Sequence, residues 1–285
     1  MSYKLKNRIE NFFIYIFMTI VLIIVLFPII YVFASSFKTN AEVLVHPEHI
    51  FPENPTLDNY KIALTSKDFN VIRMFINSVI YAGSVVAIIL WSSSTIGYVF
   101  ARGKFPLKNM WFTIFTALMF INFGGVTVYA TFNVLRAVHL TQSITSLIIM
   151  KLFGVPIVNI YLVRSYIKTL PYELDEAAKI DGCSFIGIFF KIIAPLLLPL
   201  FATLGLLAFQ GSWNDYIMPT VFTITRPEQR TLIVGIMALK NSGEGAANWN
   251  LMLAASAIAI LPMLCAYMFA NKYFVKGLVG GAVKG

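Results

Sequence analysis

The sequence is poor in charge, in cysteine and in histidine. Only 12% of its 285 residues are charged and 58% are hydrophobic, too few charges to clothe a water-facing domain of that length. Its two cysteines sit in unlike surroundings, Cys183 in a polar segment and Cys265 in an apolar run, which excludes a disulfide framework. Of three histidines, His139 stands alone. His46 and His49 flank Pro47 and Glu48 and are read as a solvated loop rather than a two-histidine metal site, so no metal centre is expected. The Gly-x-x-x-x-Gly-Lys-Ser/Thr spacing of a nucleotide cradle is missing, so any ATP used must be bound by another chain. No histidine and acid pair lies inside the apolar runs, so no catalytic set is present and an enzyme is not expected. There is no tandem repeat and no visible domain boundary.

What the chain does have is long apolar runs. Near residues 12–35, 75–100, 110–132, 143–166 and 251–274 they reach the ~20 residues a helix needs to cross a hydrocarbon core. A sixth, near 195–217, opens with Pro195 and Pro199. The expectation is an all-α polytopic membrane protein with six transmembrane helices. Lys4, Lys6 and Arg8 before the first run and Ala34-Ser35-Ser36 after it imitate a signal peptide. Yet the run far exceeds the ~7–15 residues of such an apolar region, so it reads as a retained helix.

The bases orient these spans. With both termini cytoplasmic, 13 of the 22 bases fall on the cytoplasmic side, against five acids: Glu10, Glu173, Asp175, Glu176 and Asp181. The other side carries eight bases matched by eight acids, and Lys151 lies within the fourth run. The net charge of +9 therefore reports topology and calls for no nucleic-acid partner. The outer segment from Ser36 to Met74 holds Pro47, Pro52 and Pro55 and reads as irregular with one short helix.

One cytoplasmic segment, PYELDEAAKIDGCSFIGIFFKIIAP from Pro171 to Pro195, is out of keeping with the rest. Pro171 suits the start of a helix, and Glu173, Asp175 and Glu176 complement its dipole. Gly182 suits its end. A helix of about ten residues follows, too short to span, which bends at Gly182 into a second apolar helix bearing Phe185, Phe189 and Ile192. Ala177 and Ala178 leave a small-residue patch open to close approach by a partner.

Glu176, Ala177, Ala178, Gly182, Ile192 and Pro195 resemble the signature of membrane subunits of ATP-binding-cassette (ABC) importers, with one departure, Ala194 in the place of leucine. The likeness runs along nearly the whole chain to carbohydrate-importer permeases of the maltose-transporter G-subunit type, through YVFARGKFPLKN, WNDYIMP at Trp213 to Pro219 and the terminal GLVGGAVKG. FGG at Phe123 to Gly125 is close to the oligosaccharide branch but lacks its following proline. The resemblance implies that residues 1–285 form one importer transmembrane domain in a bacterial-type cytoplasmic membrane. Residues 168–194 would be the coupling loop, and the cargo a carbohydrate, with an oligosaccharide indicated. It also implies a second homologous permease, two ATPase subunits that bind ATP and Mg²⁺, and an extracytoplasmic sugar-binding protein.

By carry-over, Glu176, Ala177, Ala178, Asp181 and Gly182 form the coupling element. The loop with Asn241, Gly243, Gly245 and Trp249 is implied to touch the binding protein, against the plainer reading of a flexible solvent loop. From the residues themselves, Gln210 and Asn214 share a helical face beside Trp213 and are candidates for a sugar path, as is Asn122. The competing reading makes Trp213 an interfacial anchor and Asn214 and Asp215 caps. An ion-coupled secondary transporter is the alternative class, but it would bury acids mid-span, and here the acids avoid the centres of the runs.

Overall fold

The structure is a computed structural model, and it describes residues 3–66, 69–121, 124–140, 143–241 and 248–282. Among these residues the regular elements are all helical: α1 (Tyr3–Ser35), α2 (Asn40–Val45), α3 (Asp58–Thr65), α4 (Val71–Arg102), α5 (Lys108–Leu118), α6 (Val126–Ala137), α7 (Ile144–Phe153), α8 (Ile157–Thr169), α9 (Glu173–Ile180), α10 (Phe185–Ile188), α11 (Ala194–Leu196), α12 (Leu198–Trp213), α13 (Ile217–Thr223), α14 (Leu232–Asn241) and α15 (Trp249–Ala282).

Among the described residues, three stretches are long and apolar enough to cross a membrane unaided: Glu10–Ser35, Val71–Arg102 and Trp249–Asn271. The first has a mean hydropathy of 3.0, and none of its most apolar 18-residue stretch is buried inside the protein. A helix that is apolar all round and uncovered by its own chain is stable only in lipid.

The middle runs depart from straight spans. Residues 110–132 do not make one helix; they are split between α5 and α6, of 11 and 12 residues, each about 17 Å long at 1.5 Å per residue. In the fourth run the chain turns by 45° between α7 and α8, where Pro156 cannot donate to a continuing ladder and biases Val155 away from helix. The fifth bends by 76° between Phe185–Leu196 and Leu198–Trp213. There Phe189–Ile193 is a wider π turn just before Pro195, whose missing N–H removes the bond a regular helix would need. With each bent pair taken as one span, the described chain offers up to five.

Contacts group the chain into two compact units, Met1–Ile72 with Gly235–Leu261, and Arg73–Val234 with Pro262–Gly285. In the first, the segment that follows α1 carries two short helices, α2 and α3, where the sequence suggested one. It is pinned from within: Asn59, 2% exposed, donates to the carbonyls of Ser36 and Lys38 at 2.7 and 2.8 Å and accepts from Asn250 Nδ2 at 2.7 Å. Lys38 is fully buried, its ammonium donating to the His49 carbonyl beside the Tyr31 ring.

In the second unit, α5 packs on α8 and α13 on α7. One core joins Tyr81, Val85, Leu135, Ile144, Leu147 and Phe222. Another gathers Tyr98, Val163, Ile167, Ala178, Ile188, Phe189, Ile193, Leu197 and Leu204 beneath the 171–195 segment. Gly97 sits where α4 crosses α8, so close that an added Cβ would lie 2.7 Å from Val163 Cγ1.

Candidate functional site

The 171–195 segment is a short helix clamped to the bundle. α9 spans eight residues, so it starts two residues after Pro171, with Tyr172 at its N-cap and no side-chain cap. Its three first-turn acids, Glu173, Asp175 and Glu176, supply the charge that favours this end of the dipole. The C-terminus is closed by two bonds, Cys183 N–H to the Ala178 carbonyl at 2.9 Å and Gly182 N–H to Lys179 at 3.0 Å, the pattern of a Schellman cap. Gly182 adopts φ +80° and an added Cβ there would meet nothing within 4 Å, so conformation rather than space calls for glycine. Ser184 then caps α10, accepting from Gly187 N–H at 3.1 Å.

What holds α9 down is polar as well as apolar. Asp175, three residues before Ala178 on the same face, is 2% exposed. Its Oδ2 lies 3.0 Å from Arg102 Nε, at the end of α4. The N–H is not aimed along that line, so the contact is an ion pair without a hydrogen bond of its own. Arg102 Nη2 also donates to the Leu170 carbonyl at 2.9 Å, and its guanidinium lies over the Tyr172 ring. From one turn earlier on α4, Tyr98 donates to the Phe185 carbonyl at 3.0 Å and stacks on the Phe185 ring at 4.5 Å. A second basic group flanks this floor. Lys108 Nζ donates to the Gly103 carbonyl at 2.8 Å and the Ala101 carbonyl at 3.2 Å, closing the end of α4. Desolvation, with Arg164 and Lys168 nearby, holds its pKa below the usual lysine value.

The structure divides the two alanines. Ala178 faces inward, 4% exposed, in the core with Val163, Ile167, Ile188 and Phe189. Its small side chain lets α9 approach its own bundle, which corrects its reading as part of an open patch. Ala177, with Glu176, Asp181 and Gly182, faces outward. Alongside them Ile180 is 87% exposed and Ile186 67%. The departure Ala194 follows the π turn directly, donating to the Phe189 carbonyl, and the chain does not break there; the bend falls at Leu197.

The other candidates scatter. Gln210 and Asn214 lie exposed at the end of α12, and Asn214 Nδ2 donates to the Gln210 carbonyl at 3.1 Å, so it serves as a cap. Trp213 is 1% exposed, stacked on Phe209 and edge-on to Phe75. Its indole is covered rather than offered to a sugar or an interface. Asp215 accepts from Met218 N–H at 3.3 Å and from the Tyr81 hydroxyl at 3.0 Å, which explains the acid in WNDYIMP as a structural joint between α13 and α4. Asn122, Gly243 and Gly245 lie outside the described residues. The backbone of Asn241 closes α14, and Trp249, 37% exposed, opens α15. Sequence reasoning missed Arg102 and Tyr98; the signal was the i, i+3 pairing of Asp175 with Ala178, which sets one acid on the buried face.

An all-helical chain with helices long and apolar enough to cross a membrane, and with the short helix α9 fastened to its bundle, is a membrane protein. The particular family is shown by comparison. The chain belongs to the binding-protein-dependent transport system inner membrane components, whose family profile matches residues 2–280. It is 33% identical over 269 residues, 94% of this chain and 92% of the relative, to the sulfoquinovosyl glycerol transport system permease protein SmoH of Agrobacterium fabrum. It is 30% identical over 272 residues, 95% and 94% of the two chains, to the arabinooligosaccharides transport system permease protein AraQ of Bacillus subtilis. Among solved structures it resembles a bacterial ABC transporter involved in the import of the acidic polysaccharide alginate, at 22% identity and a TM-score of 0.79, covering 96% of this chain and 99% of that one; that likeness concerns the fold. The chain is thus a permease subunit of an ABC importer. Its relatives are transport subunits rather than enzymes, and none of those named here is an ion-coupled carrier.

Proposed function

We propose that this permease carries a carbohydrate, an oligosaccharide by the names of its relatives, across a bacterial cytoplasmic membrane. In this reading it forms a single transmembrane domain of six spans with both termini in the cytoplasm. It pairs with a second homologous permease, takes cargo from an extracytoplasmic binding protein, and is driven by two ATPase subunits that bind ATP and Mg²⁺. The observation that carries the proposal is the mounting of α9. It is capped at Gly182, pinned through Asp175 to Arg102 and packed through Ala178, while Glu176, Ala177, Asp181 and Ile180 point outward.

Closure of two ATPase subunits does work on the membrane part only through an element that does not yield, and a small helix with an inward ion pair and a close-packed base meets that need. Pushing α9 moves α4 and α10 with it, because Arg102 and Tyr98 belong to α4. The outcome is a rigid-body, two-state switch between inward- and outward-facing arrangements. Glu176 would make the polar contact to the ATPase, and Ala177 would allow it to approach closely.

The test is Glu176→Lys in the assembled importer. Oligosaccharide uptake and substrate-stimulated ATP hydrolysis should fall at least tenfold while the amount of permease in the membrane is unchanged. Wild-type uptake in that variant would overturn the coupling assignment.

A further inference from the structure

We infer that the outer segment holds a zinc site, with His46, His49 and Glu48 as ligands and Glu53 behind them. Two histidines alone did not suggest one; the fold adds two carboxylates and brings the four groups together. One ligand atom from each of His46, Glu48 and His49 lies within 4.8 Å of the other two. His46 Nδ1 is 3.3 Å and His49 Nε2 3.8 Å from the same oxygen, Glu48 Oε1. Neighbouring ligands around a tetrahedral zinc, with bonds of about 2.0–2.2 Å, stand roughly 3.4 Å apart, so the three groups are within side-chain rotation of a coordinating arrangement.

The two ring nitrogens of His49 have separate jobs. Nδ1 lies 3.2 Å from Glu53 Oε1. A proton held there leaves the Nε2 lone pair facing Glu48 and the metal, the carboxylate–histidine–metal arrangement that fixes the tautomer and raises ligand basicity. The imidazoles are stacked with centroids 5.0 Å apart; because a ring lone pair lies in the ring plane, one ring must turn for both to face the same ion.

The backbone that carries the ligands is fastened at several points. Tyr31 donates to the Pro47 carbonyl at 2.8 Å, buried Lys38 donates to the His49 carbonyl, and Glu53 N–H donates to Glu42 Oε1 at 2.8 Å. His46 N–H donates to the Glu42 carbonyl at 3.0 Å. The scaffold is therefore set before any metal arrives, which spares most of the ordering cost of binding. Imidazole and carboxylate donors suit zinc, and three protein ligands leave a fourth position for water or for a group from another chain. Zinc would cross-link the two ends of the Pro47 turn.

The test uses the full-length permease in detergent, purified through an affinity tag without histidines and stripped with a chelator. Cobalt serves as the spectroscopic probe and zinc as its competitor. One cobalt per chain with tetrahedral visible absorption, displaced by zinc, is expected. His46→Ala and His49→Ala should each weaken zinc at least 100-fold, and Glu53→Ala by about 10–100-fold. All three side chains lie at the surface, so thermal unfolding without metal should match wild type and report that the variants are folded. Equal zinc affinity in wild type and the His46→Ala/His49→Ala double variant would overturn the site. Octahedral cobalt absorption, or binding indifferent to Glu53→Ala, would overturn the geometry.

Discussion

At the scale of single residues, the most consequential side chain in the 171–195 segment is Asp175, which is also its least conspicuous acid. Glu173 and Glu176 face water, whereas Asp175 is enclosed and balanced by Arg102. Taking away one partner of a buried pair strands the other charge, at a cost of about 3–5 kcal/mol, whereas replacing both with apolar groups is often neutral. Asp175→Ala should therefore lower the unfolding midpoint of the purified permease sharply. Asp175→Leu with Arg102→Met should recover most of that loss. Full recovery is not expected, because Arg102 also satisfies the Leu170 carbonyl and methionine cannot. If the double variant were as unstable as the single, the ion pair would not be what anchors α9. The acid was legible in the sequence, but its direction was not: three acids in one helical turn look alike until the position of Ala178 shows which face is covered.

At the scale of elements, α9 depends on how its floor is laid. α4 and α8 cross at Gly97 and Val163, where there is no room for even one more carbon, the close approach that small residues permit between membrane helices. Overfilling such a contact costs about 1–3 kcal/mol. Gly97→Ala should destabilise the protein and reduce uptake. In a double-mutant cycle, Gly97→Ala with Val163→Ala should cost less than the two singles added together, because the second change removes the atoms the first strikes. Strict additivity would place the strain elsewhere. The broken spans are also element-scale findings. Pro195 and Pro199 were noted in the sequence at the mouth of their run and Pro156, inside the fourth run, was not; the structure bends the chain by 76° near the former and by 45° at the latter. The third run held no proline to announce its division into α5 and α6.

At the scale of the whole molecule, the proposal fixes which side of the membrane each exposed segment meets. In a chain carrying Cys183→Ser and Cys265→Ser, Ile180→Cys should react with a membrane-impermeant maleimide only from the cytoplasmic side, and an added ATPase subunit should shield it. Ala41→Cys, on α2, should react only from the opposite side. Labelling with the sides exchanged would reverse the orientation and with it the coupling role.

The sequence by itself determined the class of this protein. Hydropathy and charge distribution are additive along the chain, and they specify apolar helices in lipid. A signature around Glu176, Ala177 and Gly182 is read position by position, and it specifies an ABC importer permease. Tertiary structure alone decided which members of that signature look outward and which hold the helix in place, because Ala177 and Ala178 differ only in what lies across from them. It also decided that Trp213 is covered, that Asp215 is a joint, and that His46, Glu48, His49 and Glu53 meet around one turn. Those are facts of direction and distance between residues far apart in the chain or turned by a loop, and no periodicity records them.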